Sequence, residues 1–464
     1  MTASPPSLRL IIPSSSCLVV SGQDRLQGYS GEVRRLLENA GVEVGDEVEI
    51  RADGETYRGI LMARYELAEP GYIVIKLQNG YNVGIMASDK TWIRKVVSAR
   101  KPSFIPPPRP PTKPDLPRVI VMSTGGTIAS RIDYRTGGVR AALTADDLLS
   151  IVPELADLAD LDAKILFSIY SEDMTPDRWN TMALEADKLI RKGVNGIVIS
   201  HGTDTMGYSA AALSFALQKP PVPVVFVGAQ RSSDRPSSDA ATNLIAAVRV
   251  AGHAPFAEVC VSMHAWHSDT VIAIHRGTRV RKLHTSSRDA FRSVNCEPIA
   301  YVAEGEIKPN SSNLNPRGST EYVFEPGFSS DAVLVKFYPG MSPEFLEFLH
   351  ERGYRGIILE GTGLGHVSNS FTRTIKELID RGVFIGMTSQ CIFGRVNMRV
   401  YDTGRYLLKA GITPLDDMLP ETAYVKLSWC LARASDLDEV KKLMLTPIAG
   451  ELGGRSLPSK IEVS

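Results

Sequence analysis

The chain has 464 residues, of which 43% are hydrophobic and 22% charged, and its 52 basic and 52 acidic side chains leave a net charge of +0. That length predicts roughly two to four domains. The balanced charge excludes strong autonomous binding to a phosphate backbone, which calls for a basic excess. Cys17, Cys260, Cys296, Cys391 and Cys430 show neither a paired framework nor a C-x-x-C spacing, so reduced core thiols and no metal site are expected. The apolar runs Leu8 to Ile12 and Cys17 to Val20 are broken by Pro13 and serines. Nothing approaches the ~18 apolar residues of a membrane helix, and a cytoplasmic protein without membrane contact is expected.

In chain order, Gly31 to Gly41 reads as a short helix, with Val33, Leu36, Leu37 and Ala40 at helical spacing and Gly41 as its stop. The period then changes to two. Val48 to Ile50, Tyr57 to Met62, Tyr72 to Leu77 and Tyr81 to Met86 are strand candidates, with Asp53-Gly54 and Asn79-Gly80 as hairpin turns. Short strands closed by tight turns predict a small antiparallel β-barrel, SH3-like, within residues 1–100. Lys101 to Pro117 contains eight prolines, a composition that favours extended polyproline and makes residues 101–117 a linker.

Beyond it, strands alternate with helices. Arg118 to Met122, Gly196 to Ser200 and Val222 to Val227 are apolar runs, and Asp177 to Lys192 and Ser238 to Ala251 are helical. This texture predicts an α/β domain over 118–305 built on a parallel sheet covered on both faces. A connector rich in turn formers follows at 306–330, then a smaller α/β domain over 331–464 with strands Ala332 to Phe337, Gly356 to Leu359 and Val383 to Met387 and helix Ser370 to Arg381. Ligands of such sheets bind at the carboxyl ends of strands. Ser123-Thr124-Gly125-Gly126-Thr127, His201-Gly202-Thr203-Asp204-Thr205 and Gly228-Ala229-Gln230-Arg231 all fall there.

These segments carry the chemistry. Gly125 and Gly126 let the backbone approach a ligand closely; the bland alternative is a tight strand-to-helix turn. The absence of Gly-Lys-Ser/Thr speaks against a nucleotide-binding loop. In the second segment Asp204 suits a substrate ammonium and Thr203 offers a hydroxyl, while Asp and Thr are also good helix N-caps, so both readings stand. A threonine nucleophile needs a base. Lys282, in the run Arg279 to Thr285, would serve if burial and neighbouring cations lower its pKa; a lysine in a basic run is otherwise a solvated charge.

Together, Thr124-Gly125-Gly126-Thr127-Ile128-Ala129 and His201-Gly202-Thr203-Asp204-Thr205-Met206, in order and each at a strand end, make the chain from about Arg118 to Ala434 resemble the L-asparaginase and glutaminase family. The resemblance implies a doubly wound larger domain followed by a smaller one. It also implies Thr127 as nucleophile, Tyr134 as the lid tyrosine that orients it, and Thr203, Asp204 and Lys282 as a second catalytic group. Ser171 would contact the substrate carboxylate, with Glu172 where many relatives place glutamine and Gly126 and Gly202 lining the site. Gly361 to His366 resembles a family loop in which Leu364 replaces a usual asparagine.

The barrel and linker ahead of the first motif, together with Pro414 to Pro420, resemble the family of D subunits of archaeal glutamyl-tRNA(Gln) amidotransferases. That implies glutamine or asparagine as ammonia donor, no cofactor in this chain, and a partner E subunit that uses ATP and Mg. Glu-tRNA(Gln) would be met mainly through that partner, and self-association as a dimer is expected. Two alternatives remain: a stand-alone L-asparaginase and a catalytically inactive scaffold.

Overall fold

The computed structural model describes residues 25–26, 28–64, 70–77, 82–98, 115–126, 130–133, 138–141, 145, 148–149, 152–231 and 238–454. Contacts divide the chain into two compact units, Met1–Pro102 with Asp133–Gly138, and Ser103–Ile132 with Val139–Ser464.

In the first unit, α1 (Gly31–Asn39) buries Val33 and Leu37, one turn apart on a single face. Strands β1 (Glu47–Ala52), β2 (Glu55–Leu61), β3 (Tyr72–Lys76), β4 (Asn82–Met86) and β5 (Trp92–Val97) pair antiparallel in the order β4-β3-β2-β1-β5. Asp53 and Gly54, with φ of 51° and 86°, turn the chain from β1 to β2, as a two-residue hairpin loop requires. Val48, Ile50, Leu61, Ile73, Ile75 and Ile85 close one core with α1. The expected barrel is thus a five-stranded sheet whose edge strands, β4 and β5, are not hydrogen-bonded to each other. Strand β5 was not expected, because its outward residues Trp92 and Arg94 hide the alternation. The Asn79-Gly80 turn, Cys17 and residues 101–114 of the linker lie outside the described residues.

The second unit opens with β6 (Arg118–Gly125), the hairpin β7 (Ser130–Asp133) and β8 (Gly138–Ala141), and β9 (Asp160–Ile169). There follow α2 (Pro176–Arg191), β10 (Gly196–Ser200), α3 (Met206–Ala216), β11 (Leu217–Gln218), β12 (Val224–Val227), α4 (Ala240–His253), β13 (Val259–His264), β14 (Val271–Arg276), β15 (Val280–Lys282), β16 (Phe291–Ser293), β17 (Ala300–Ala303) and β18 (Glu306–Pro309). The main sheet has the order β18-β17-β14-β13-β12-β10-β6-β9. Its β9-β6-β10-β12-β13 half is parallel, as expected; β14, β17 and β18 extend it antiparallel. Strand β18 falls inside the stretch expected to be a connector, because Glu304 and Gly305, at φ 53° and 78°, form a tight hairpin that folds it onto β17.

The apolar runs are continuous because both faces are covered. In β10, Ile197 and Ile199 join a core with α2 and α3, while Val198 joins the opposite core with α4. Helix α3 is buried on all sides, which explains its run of small residues.

After β19 (Val323–Phe324), which pairs with β11, come β20 (Ala332–Lys336), α5 (Glu344–Glu351), β21 (Gly356–Gly361), α6 (Phe371–Asp380), β22 (Phe384–Ser389), α7 (Asp402–Lys409), β23 (Thr413–Pro414), α8 (Pro420–Leu431) and α9 (Leu437–Leu445). The smaller sheet, β20-β21-β22-β23, is parallel throughout. Helix α8 joins the sheets: Val425, Leu427 and Trp429 share a core with Phe215 of α3 and with Ile358 and Phe384 of the smaller sheet. A strap beyond α9 is held by Lys426, which donates to the Met444 and Thr446 carbonyls and pairs with Glu451, both side chains fully buried. Thr278 and Arg279 donate to the Ala449 and Gly450 carbonyls of the same strap. Among the described residues, no helix is long and apolar enough to cross a membrane. Cys260 and Cys430 are buried free thiols, whereas Cys296 and Cys391 are exposed rather than in the core.

Candidate active site

Because β6, β10 and β12 are adjacent and parallel, the three polar segments that follow them open on one side of the sheet. The first two touch through glycine. Gly125 and Gly126 have φ of 116° and 81°, a region L side chains rarely adopt. A Cβ on Gly125 would stand 2.1 Å from the Ile169 carbonyl oxygen, and one on Gly126 would stand 2.9 Å from Gly202 N. The Thr124 hydroxyl donates to the Ser200 carbonyl at 2.9 Å, tying the ends of β6 and β10 together. Thr127 and Tyr134 lie outside the described residues.

After β10, none of the side chains caps α3: Thr205 occupies the N-cap position without a side-chain cap bond, and its hydroxyl donates to the Ser171 carbonyl at 2.6 Å. Thr203 and Asp204 meet Lys282 instead. Lys282 Nζ donates to Thr203 Oγ1 at 2.9 Å and to Asp204 Oδ1 at 2.8 Å. The lysine side chain is 13% exposed and the aspartate 70%, so the cation is sheltered and the carboxylate faces solvent, where a ligand can reach it. The lysine's contact is a carboxylate, not the neighbouring cations expected from the basic run. That run is divided among partners: Arg279 forms a buried pair with Asp417, Arg281 pairs with Glu421, and Lys282 lies at the end of β15 opposite Phe291 of β16.

Ser171 and Gly202 complete the wall. Ser171 is buried and starts the turn after β9; a Cβ on Gly202 would stand 3.0 Å from Ser171 Oγ. Glu172 is exposed. His201 Nδ1 lies 2.7 Å from the Gly202 carbonyl, so Nδ1 carries the hydrogen. Burial holds its pKa down to about 4, against a smaller upward pull from that bond, leaving a neutral imidazole beneath the site at neutral pH. The structure therefore brings together Gly126, Ser171, Gly202, Thr203, Asp204 and Lys282. Sequence reasoning missed what Thr205 and Thr124 do: their hydroxyls fasten neighbouring strand ends, and neither residue type nor spacing signals that role.

Chemically, a hydroxyl that accepts from an ammonium keeps its own hydrogen free to be donated or removed, and an exposed carboxylate beside it accepts from a ligand's ammonium or from water. Among the described residues, no group of three or more His, Cys, Asp or Glu side chains could hold a metal.

Comparison with known proteins agrees with this architecture. Residues 118–315 match the family described as "Asparaginase, N-terminal", residues 332–444 the "Glutaminase/Asparaginase C-terminal domain", and residues 42–96 the "GatD N-terminal domain". The chain is 48% identical to the D subunit of the glutamyl-tRNA(Gln) amidotransferase of Thermofilum pendens, over 93% of this chain and 97% of that protein. It is 51% identical to the D subunit of the Pyrococcus furiosus enzyme, over 92% and 99%. Among solved structures, the thermostable L-asparaginase from Thermococcus kodakarensis superposes with a TM-score of 0.65 at 34% identity, covering 73% of this chain and 99% of that one. With two α/β sheets of asparaginase type and the additional N-terminal module, the chain belongs to the family of glutamyl-tRNA(Gln) amidotransferase D subunits.

Proposed function

We propose that this chain hydrolyses the side-chain amide of glutamine, or of asparagine, and supplies the ammonia to a partner subunit. In this reading Thr127 Oγ attacks the amide carbon and ammonia leaves. Water then cleaves the acyl-threonine ester, releasing the free acid and restoring the hydroxyl. Thr203, Asp204 and Lys282 act as one group that moves the proton and holds the substrate's ammonium, with Tyr134 orienting Thr127. Ser171, Gly126 and Gly202 line the substrate's place, with Glu172 at its rim. The observation that carries the reading is the double contact of Lys282 Nζ with Thr203 and Asp204 at the strand end beside the Gly125-Gly126 turn.

The D-subunit relatives support the rest: a partner E subunit in which ATP and Mg drive conversion of Glu-tRNA(Gln) to Gln-tRNA(Gln), in the cytoplasm, with this chain needing no cofactor of its own. Dimerisation of this chain, and docking of the partner or tRNA by the N-terminal module, belong to the same proposal. The decisive measurement is ammonia release from glutamine and from asparagine, by the chain alone and with E subunit and Glu-tRNA(Gln). Stimulation by the partner and tRNA is expected. Full asparagine hydrolysis by the chain alone, unchanged by either, would instead make it a stand-alone asparaginase, and no release under any condition would make it a scaffold.

A further inference from the structure

A buried polar chain behind the third strand end is absent from that mechanism. Asp239 is fully buried at the start of α4; its carboxylate accepts from Gln230 N at 3.0 Å and Arg231 N at 2.9 Å. One turn on, Asn243, also fully buried, donates through Nδ2 to the Gly228 carbonyl at 3.0 Å and to Asp239 Oδ2 at 3.1 Å. The amide orientation is thereby set, and Asn243 Oδ1 faces His264 Nδ1 at 2.7 Å. The other ring nitrogen, Nε2, lies 3.0 Å from Asp269 Oδ1. Both nitrogens of this buried histidine face acceptors, so the pattern is complete only with a hydrogen on each.

The two ends of the chain arrive at the two sides of the candidate site. At one end Gly228 presses on the β10 loop: a Cβ there would stand 2.8 Å from Thr203 Cγ2 and 2.9 Å from the His201 carbonyl oxygen. At the other, Asp269 accepts from Arg288 at 2.7 Å, and the Ala265 carbonyl accepts from Arg292 at 2.9 Å. Both arginines belong to the β15–β16 hairpin, on which Lys282 sits. We infer that Asp239, Asn243, His264 and Asp269 are positioning residues that clamp the Thr203 loop and the Lys282 hairpin at contact distance from each other. The inference rests on reading Thr203 and Lys282 as parts of the amide-hydrolysing site. Buried networks of this kind matter as a unit, because removing one member leaves its neighbours unsatisfied.

The test uses the full chain with Thr203→Cys as a reporter. A thiol at that position sits where the Lys282 ammonium donates, and a nearby cation depresses thiol pKa. The rate of iodoacetamide alkylation at residue 203, resolved by peptide mass spectrometry and followed against pH, reads that contact without requiring activity. With His264→Phe or Asp269→Asn added, the apparent pKa is expected to rise by about one unit, toward that of Thr203→Cys with Lys282→Met, which is about tenfold slower labelling at low pH. Asp269, whose side chain is 59% exposed, keeps the test available if His264→Phe fails to fold. An unchanged alkylation profile in a folded variant would overturn the clamp. Ammonia release by Lys282→Met judges the catalytic reading separately: full activity there removes that reading, while alkylation still decides the geometry.

Discussion

Two strand ends in this molecule are built from nearly the same residues and do opposite things. After β10 the chain runs His201-Gly202-Thr203-Asp204-Thr205, and after β21 it runs Thr362-Gly363-Leu364-Gly365-His366. At the second, everything closes inward. Thr362 N and Oγ1 both donate to the His366 carbonyl, His366 N donates back to Thr362 O, and Ser389 covers the Gly363 carbonyl. At the first, the hydroxyls reach out to other elements, Thr205 to the turn after β9 and Thr203 to Lys282 of β15. A polar, glycine-rich strand end is therefore only a permissive feature. It presents a reactive face where a second element brings an opposite charge to it; otherwise its polar groups satisfy one another, as buried ones must.

Mutations can break or sharpen that contrast. The largest effect is expected for Thr127→Ala, which should reduce glutamine hydrolysis to background; external ammonium should still allow the assembled complex to amidate Glu-tRNA(Gln). Near-normal ammonia release would remove Thr127 from the nucleophile role. Next, Lys282→Met should lower kcat by about 10²–10⁴, the range of proton-transfer catalysis. Adding Asp204→Asn should cost far less than the product of the two single losses, as for residues acting as a unit; multiplying losses would mean that the β10 end has no joint group.

The third effect is on stability. Burial lowers the His201 pKa from 6.5 to about 4 and that of His275 to about 3. The unfolded chain thus takes up protons that the folded chain refuses, so stability is full above about pH 6.5 and falls as pH drops toward 4. His201→Phe should remove about 2 kcal/mol of the stability difference between pH 7 and pH 5, measured by urea unfolding at both. Equal pH slopes in mutant and wild type would exclude a neutral, buried His201. The smallest effect belongs to the closed end: Thr362→Ala should leave kcat/KM within about twofold, whereas Thr203→Ala should cost at least about tenfold. Equal losses would abolish the distinction between the two ends.

Much of this was legible in the sequence, for reasons that particular residues make plain. Gly196 to Ser200 announced itself as a strand because both its faces are buried, and its polar successor could only sit at a strand end. The antiparallel half of the main sheet was harder: β17 and β18 are four residues each, too short for periodicity to register. The partnership of Lys282 with Asp204 spans 78 residues and depends on how β15 pairs with β16, so spacing alone could only nominate the lysine. Asp239, Asn243 and His264 carried no usable signal. Asp239 looked like the start of a helix, and its use as a receiver of Gln230 and Arg231 amides emerges only once β12 and α4 are packed together.

The strap beyond α9 has a consequence in time. Thr278 and Arg279, a few residues before Lys282, are anchored on carbonyls 171 positions further along the chain. At about 5–20 residues per second, a ribosome needs roughly ten to thirty seconds to make that stretch. During that interval the β15–β16 hairpin has no anchor and the face of α3 that α8 will cover is bare. The amide-cleaving end of the sheet thus matures only when the polypeptide is nearly whole, and a product cut short before Glu451 exposes the apolar surface by which a cell's chaperones and proteases recognise unfinished chains.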